Sequence, residues 1–556
     1  MIGVWVQDTD RPAVEEFFEL FKTPWEFGRP NHLYDIILCG DSITPPQPAR
    51  LTLEFGPTPR PTDPPSSSPT KNEEPRTKNE ALVQTSPGPL PLYTSCRIFA
   101  AGSWEVPESL SLDSGGFTAV VKQTTSEGTR VRFGYDLCAE VRHLMGDGQP
   151  SSLATIPSLD RHIELLRRVI LEAGVPFVEI PPIPEDFDGI VCLSHDVDHV
   201  GIRHHKADHT MLGFLYRATV GSLVNLMRGR LTARQVLKNW RAATSLPAVH
   251  LGWARDFWYQ FDAYLALENG RPSTFFVIPW PGVAGQRAPG TQAAAPSTRA
   301  AKYDASSLKP YFDRLRSAHC ELALHGLDAW NDAAKGQAEA AVIADVGRGT
   351  ERGVRMHWLY FDRDSPAHLE AAGFTYDSTS GYNEAIGFRA GTAQVFRPLG
   401  VTRLLELPMH VMDTALFYPS RMNLAPAEAW SATTALIDKI RRLGGVLTIN
   451  WHDRSLAPER LWDDFYRHLL THLDARQNWF ATAGDTVAWF RRRRAARVDD
   501  VEWEGDTVRV KATVPSDIHP LPGLRLRVHR PHRAAVDVPL QEQVVVREVG
   551  RDLPGS

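Results

Sequence analysis

At 556 residues the chain has length for about three or four domains. Hydrophobic residues make up 42% and charged residues 23%, the balance of a water-soluble globular protein. The formal charge of -5 and ordinary composition do not suggest nucleic acid as the partner, which would need a basic stripe. The five cysteines, Cys39, Cys96, Cys138, Cys192 and Cys320, are scattered and lack C-x-x-C spacing, so reduced thiols are expected rather than a disulfide frame or a zinc knuckle.

The first residues, MIGVWVQDTDRP, show no basic segment followed by an apolar one, and a cytoplasmic protein is expected. Residues 1–55 read as an α/β segment, with helical spacing over 13–21 and a strand over 34–40. Residues 56–90 are rich in Pro, Ser, Thr, Lys and Glu and read as a disordered insert. Residues 91–185 continue the N-terminal α/β domain. The alternation over 117–133 predicts a hairpin around Ser126-Glu127-Gly128, and 158–173 predicts a helix capped by Ser158.

From 186 to 495 short apolar strands alternate with helical stretches, which predicts a parallel sheet or a βα barrel. The expected strands lie at 190–194, 273–278, 320–324, 354–360, 404–408 and 445–449. A helix is expected at 211–227. With Arg217 inside, it is too short and too polar to span a bilayer, and packing against the core is favoured over contact with a membrane surface. The histidines at 204, 205 and 209 read as surface loop residues. A polar loop at 282–299 is expected to border the site. The run Arg491 to Arg494 closes a helix, where positive charge is favourable. Residues 496–556 read as a small β module.

The first strand runs into His195-Asp196-Val197-Asp198-His199. Alternate residues of a strand share a face, so Asp196 and Asp198 point the same way. Two carboxylates side by side at the end of a buried strand repel each other, and a cation or a split of acid and base roles relieves that strain. Polar residues mark other strand ends: His325 and Asp328; Arg355 and His357, on one face by the same alternation; Asp377; and Asn450, His452 and Asp453. Three histidines at strand ends beside a carboxylate pair point to a metal hydrolase.

Taken in order, SHDVDH, LHGLDA, VRMHW, YDS and LTINWH resemble the five motifs of the polysaccharide deacetylase family, also called carbohydrate esterase family 4 or NodB-homology proteins. The resemblance covers about 186–490. It implies a distorted (β/α) barrel and metal-dependent N-deacetylation. It implies Asp196 as general base, Asp198 and His325 as metal ligands, and Arg355 as the tether of the catalytic carboxylate. By the same resemblance Asp377 positions the acid histidine, His452. The family's second motif carries another histidine four residues after the first, and here that position is Ala329. His357 is the expected substitute, sharing a face with Arg355; His199 and Asp328 are the alternatives.

The implied cofactor is one divalent ion, zinc, and the implied substrate an acetylated sugar or glycan precursor. Arg389, set between glycines, is expected to bind an acidic or phosphorylated group or else to pair with a core carboxylate. Trp358, Trp451 and Tyr382 are expected to offer flat surfaces to sugar rings. Two other readings stand beside this one: a metal-free glycan-binding or assembly module, favoured by Ala329, and a hydrolase of a non-sugar amide.

Overall fold

The computed structural model describes residues 1–45, 47–60, 63, 81–85, 88–100, 104–108, 117–282, 301–344, 352–515 and 521–547. Its largest sheet is built around the strand Gly189–Val197. Val191, Leu193 and Val197 face one apolar core and Ile190 and Cys192 another. Burial on both faces explains why this segment is an unbroken apolar run rather than an alternating one. In sheet order the parallel strands are Leu405–Glu406, Tyr376–Asp377, Gly353–Met356, Glu321–Gly326, Thr274–Val277, Gly189–Val197, Val446–Asn450 and Val411–Met412. Asn478–Ala481 adds to Gly189–Val197 as well. The sheet curls into a half-barrel, a distorted (β/α) barrel with smaller sheets at its flanks. Because the strands are parallel, their C-terminal ends meet on one side, where such folds build sites.

The strand expected at 354–360 ends early. It spans Gly353–Met356, and His357–Leu359 form a tight turn in which Trp358 has φ 66° and Leu359 φ 55°. His357 therefore reaches the site from a turn, not from the strand face.

The N-terminal sheet runs Trp25–Phe27, Ile2–Trp5, Ile36–Cys39, Leu51–Phe55, Gly128–Phe133, Val120–Thr125, with only the last pair antiparallel. The helices Arg11–Phe21, Leu137–Gly146 and Ser158–Glu172 share its core through residues such as Phe17, Val141 and Leu166. Ser158 does not cap the third of these. Pro157 holds the cap position, and the Ser158 hydroxyl donates to Gln149 Oε1 at 2.8 Å. Most of the insert at 56–90 and of the polar loop at 282–299 lies outside the described residues. The end of the insert is ordered into a hairpin, Ala81–Thr85 with Gly88–Leu92.

The C-terminal stretch forms an antiparallel sheet of Arg497–Glu504, Thr507–Thr513 and Gln543–Arg547. A second sheet pairs Arg525–His529 with both Val536–Pro539 and Phe177–Glu179, so the C-terminal stretch shares a sheet with the segment that leads into the largest sheet. The arginines ending the helix Ala483–Ala495 do more than complement its dipole. Arg493 is buried and donates to the carbonyls of Ile180 and Leu20, and Arg494 forks onto both carboxylate oxygens of Glu16.

Glu179 is the ionic centre of the shared sheet. It is 1% exposed, 2.9 Å from Arg167 and 3.0 Å from His529, with Arg527 at 3.9 Å. Burial opposes its ionisation, but Arg167 first and then His529 and Arg527 hold its carboxyl well below the usual range. The stability it contributes is present above the unfolded carboxylate pKa and is lost as pH falls toward the folded value. Glu179→Gln leaves Arg167 and His529 without their anion, while Arg527 keeps Asp537, and costs about 3 kcal/mol. The check is urea unfolding at neutral pH; an unchanged first midpoint would remove Glu179 from the list of stabilising contacts.

No described helix is long and apolar enough to cross a membrane. The segment at 211–227 is helical, as expected: His209–Tyr216, a π-turn at Arg217–Gly221, and Ser222–Met227. One face packs against a core, as expected of an amphipathic helix, but the outer face is apolar rather than polar. Phe214, Ala218 and Ser222 turn inward, whereas Leu212, Tyr216, Val220, Leu223 and Met227 form a stripe exposed to solvent.

Candidate metal centre and its pocket

Asp198 follows directly on Gly189–Val197, and the alternation of that strand sets it beside Asp196. His325 lies at the end of the neighbouring strand Glu321–Gly326, and His357 in the turn after Gly353–Met356. Among the described residues these three, Asp198, His325 and His357, form the one group able to hold a metal ion, with ligand atoms all within 4.8 Å of one another. The distances from Asp198 Oδ1 are 3.4 Å to His325 Nε2 and 3.7 Å to His357 Nε2. Bonds of about 2.0–2.1 Å in a tetrahedral array place ligand atoms roughly 3.4 Å apart, so the spacing suits a small divalent cation.

The donor chemistry fits as well. His325 Nδ1 lies 2.9 Å from the Arg355 carbonyl. A carbonyl can only accept, so Nδ1 carries the proton and Nε2 is left to ligate. Asp198 Oδ1 is buried and makes no hydrogen bond among the described residues. Burial opposes ionisation of Asp198, yet the charges around it, His357 first, hold its carboxyl well below the usual range. Neither alternative ligand joins the group. Asp328 pairs with Lys335 at 3.3 Å, and the His199 Nδ1 faces His205 at 3.4 Å. Ala329 is fully buried in the apolar core, where a histidine would not fit unchanged.

Asp196 lies beside this group, 3.8 Å from His325. Arg355 donates to one of its oxygens at 2.9 Å and the Asn450 amide to the other at 2.7 Å. Burial pushes its pKa up, but His325, Arg355 and His452 together bring the carboxyl below its usual value. Arg355 is itself buried and held by the Ser378 carbonyl and the hydroxyls of Ser194 and Ser378. The loop carrying Ser378 rests on two buried carboxyls, Asp377 and Glu406, side by side on neighbouring strands. Burial raises both, Asp377 to about 6 and Glu406 well above its ordinary value, where the neighbouring Asp377 adds to the rise.

His452 faces Asp198 at 3.9 Å from the far side. Its partner is Asp413, which lies in none of the five motifs. Asp413 Oδ1 lies 2.6 Å from Nδ1, and Asp413 Oδ2 accepts the His452 backbone N–H at 2.7 Å. Burial lowers the imidazole pKa, but the Asp413 charge and hydrogen bond outweigh it and lift the group to about 10. Asp377, expected to position this histidine, instead lies buried beside Glu406 and takes a hydrogen bond from the Thr379 hydroxyl.

Asp196, Asp198, His325, His357 and His452 open on one cavity of about 480 Å³. Trp358 lines it and is partly exposed. Trp451 is fully buried against Phe465 and Tyr466, and Tyr382 is buried with its hydroxyl donating to the Gln149 carbonyl, so neither offers a face to a ligand. Arg389 lies outside this cavity, beside a small cleft, and donates to the Gly381 carbonyl. His205 and His209, expected on a surface loop, line the cavity.

No protein-family model matches the chain, and no curated protein does either. Several solved structures resemble it distantly. A Mycobacterium smegmatis protein described as a polysaccharide deacetylase is 17% identical, with 59% of this chain and 100% of that one covered and a TM-score of 0.33. A Pseudomonas aeruginosa protein described likewise is 13% identical, covering 58% and 98%, at 0.35. PuuE allantoinase is 12% identical, covering 56% and 92%, at 0.34. At such values the likeness to deacetylase folds is remote and adds nothing to the chemistry read from the side chains.

Proposed function

We propose that the chain is a divalent-metal-dependent amide hydrolase that removes an N-acetyl group from a sugar or glycan precursor. The observation that carries this reading is the convergence of Asp198, His325 and His357 at coordination spacing, with a tethered carboxylate on one side and a carboxylate-bound imidazole on the other. Asp198, His325 and His357 would hold the ion, and two imidazoles with one carboxylate suit zinc. When bound, such an ion supplies Lewis acidity and a lowered water pKa.

The remaining work belongs to the chain's own groups. Asp196, fixed between Arg355 and Asn450, accepts the proton of the attacking water. Arg355 keeps that carboxylate ionised and aimed. His452, protonated through Asp413, delivers a proton to the departing amine, which leaves poorly as an anion. Trp358 gives a sugar ring an apolar wall.

The test joins metal content to product release. Purified protein should take up about one equivalent of zinc, lost in Asp198→Ala, His325→Ala and His357→Ala. It should also release acetate from one or more members of a panel of N-acetylated sugars and nucleotide sugars. Turnover confined to linear or cyclic non-sugar amides would move the reaction to those substrates. Failure to take up zinc, cobalt or manganese would sink hydrolysis and favour a glycan-binding module.

A further inference from the structure

The wall of the pocket beside His452 carries more positive charge than catalysis uses. Arg217, Lys302, Arg421, Arg454 and Arg460 all line it. Three of them gather around one phenol. Tyr418 Oη accepts from Arg460 at 2.5 Å and from Arg454 at 3.4 Å, and the Arg421 guanidinium lies 5.5 Å from the Tyr418 ring. Burial would raise the Tyr418 pKa, but Arg460 and Arg454 bring it down to about 7. Arg217 has its pKa lowered to about 10 by burial and by Arg460 and Arg454.

Apart from the Tyr418 phenol, these cations have no anion in contact. Among the described residues no carboxylate lies within ion-pair distance of Arg217, Arg421, Arg454 or Arg460. Tyr418, Glu459, Asp453 and Asp198 favour the Arg454 charge from around it, and Glu459 that of Arg217, but Glu459 itself takes the Trp258 indole N–H at 3.3 Å. Arg217 Nε and Arg454 Nη1 are buried without a hydrogen-bond partner. Burying guanidinium groups together unpaired is costly, and a bound anion repays it. Several forked donors converging on one space suit a tetrahedral oxyanion.

We propose that Arg217, Arg454 and Arg460, with Arg421 beside them, form a phosphoryl-binding subsite of the catalytic pocket, so that the substrate carries a phosphate ester at a distance from its amide. The link to an amide rests on the hydrolase reading above; the subsite does not. The test is calorimetry of metal-stripped protein with inorganic phosphate and pyrophosphate, since stripping removes competition from the metal. Binding should weaken by about 10- to 100-fold in Arg217→Gln and in Arg460→Gln, and persist in His357→Ala. No binding at millimolar phosphate, or binding indifferent to both arginine variants, overturns the subsite. Glucuronate bound more tightly than phosphate overturns the phosphoryl assignment. Phosphate binding without turnover on the amide panel keeps the subsite and sinks the hydrolase instead.

A separate observation carries a second inference. Between Asp208 and Asp256 the chain has no acidic residue but seven basic ones, Arg217, Arg228, Arg230, Arg234, Lys238, Arg241 and Arg255, in a protein whose formal charge is -5. The same stretch holds nine of the fourteen exposed large apolar side chains among the described residues. Five form the stripe from Leu212 to Met227; Leu237 and Trp240 lie on the helix Ala233–His250, and Leu251 and Trp253 follow it. Met227 is 74% exposed and Trp253 81%. Arg228, Arg234 and Arg241 are exposed and make no ion pair among the described residues, whereas Lys238 and Arg255 pair with Asp463 and Asp262. Amphipathic helices that expose apolar residues amid unpaired cations bind anionic bilayer surfaces.

We infer that this face seats on an anionic lipid surface. His209, Thr210 and Arg217 line the pocket from the same helical segment, so docking would bring the pocket to that surface. Full-length protein should sediment with phosphatidylcholine–phosphatidylglycerol vesicles, bind phosphatidylcholine alone far less, and be released by salt. The triple variant Leu212→Ser, Tyr216→Ser, Met227→Ser should lose at least about tenfold in binding. Absence of sedimentation, or full binding by the variant, overturns the inference. A concentration-dependent dimer seen by light scattering, abolished by the same variant and without vesicle binding, assigns the face to a second copy of the chain.

Discussion

Asp196→Asn should leave zinc uptake intact and lower amide turnover by about 10²- to 10⁴-fold. The substitution preserves shape and removes the one carboxylate of the pocket that faces the metal group without belonging to it. Arg355 and Asn450 both donate to Asp196, one to each oxygen. An asparagine offers a single acceptor, so its amide N–H₂ must meet one of those donors head on, at a cost of about 1–3 kcal/mol in stability. Turnover, metal content and urea stability therefore separate the roles. A base gives lost turnover with metal retained and modest destabilisation. A ligand gives lost metal. Turnover within about tenfold of the parent would remove Asp196 as the base. The carboxyl is held below its usual pKa, so the acid limb of a pH–rate profile should fall below the ordinary carboxylate range, and activity should decline only as pH drops through it.

The half-barrel and the residues at its strand ends were legible because a parallel sheet is simple to decode. Short apolar runs mark the strands, and the polar residue after each run is carried to the same edge. Asp196, Asp198, His325, Arg355 and His452 are all found there. His357 was reached by a faulty route: the alternation of a strand put it beside Arg355, but the strand stops at Met356 and a turn through positive φ delivers the ring. Asp413 went unread because its short helix, Asp413–Phe417, follows a two-residue strand, Val411–Met412, too brief for any period to show. Asp377 and Trp451 sit next to recognisable motifs, yet adjacency in sequence does not fix which way a side chain turns, and both turn inward. The arginine wall comes from residues 217, 421, 454 and 460, which share no local pattern; only the fold brings them together. The 211–227 stripe was visible as an amphipathic helix, and what the sequence could not give was which face met the protein.

Asp413→Asn should cost nearly as much turnover as removing the acid itself, through His452 rather than through substrate. The carboxylate holds the Nδ1 proton and the backbone N–H of His452 and also receives the Ser455 hydroxyl, so the imidazole is fixed in place and tautomer, with Nε2 toward the pocket. Burial alone would lower the His452 pKa; Asp413 first, with Asp198 and Asp196 behind it, outweighs burial and lifts the group to about 10. An acid must carry its proton, so activity of the parent falls as pH rises through that value. Without the Asp413 charge and hydrogen bond only Asp198 and Asp196 offset burial, the alkaline limb of kcat/KM moves down from about 10, and more of the amine leaves unprotonated, at a loss of up to about 10²- to 10⁴-fold. Stability follows the same sign: the pair's contribution is complete below the unfolded histidine pKa and is lost as pH rises through about 10. The variant should lack that alkaline loss. NMR titration of the His452 ring reads the shift without any substrate, and an imidazole titrating identically in parent and variant would dissociate Asp413 from the acid. If the ring pKa falls while the alkaline limb stays where it was, His452 is not the proton donor, and the acid must be sought among the other groups of the pocket.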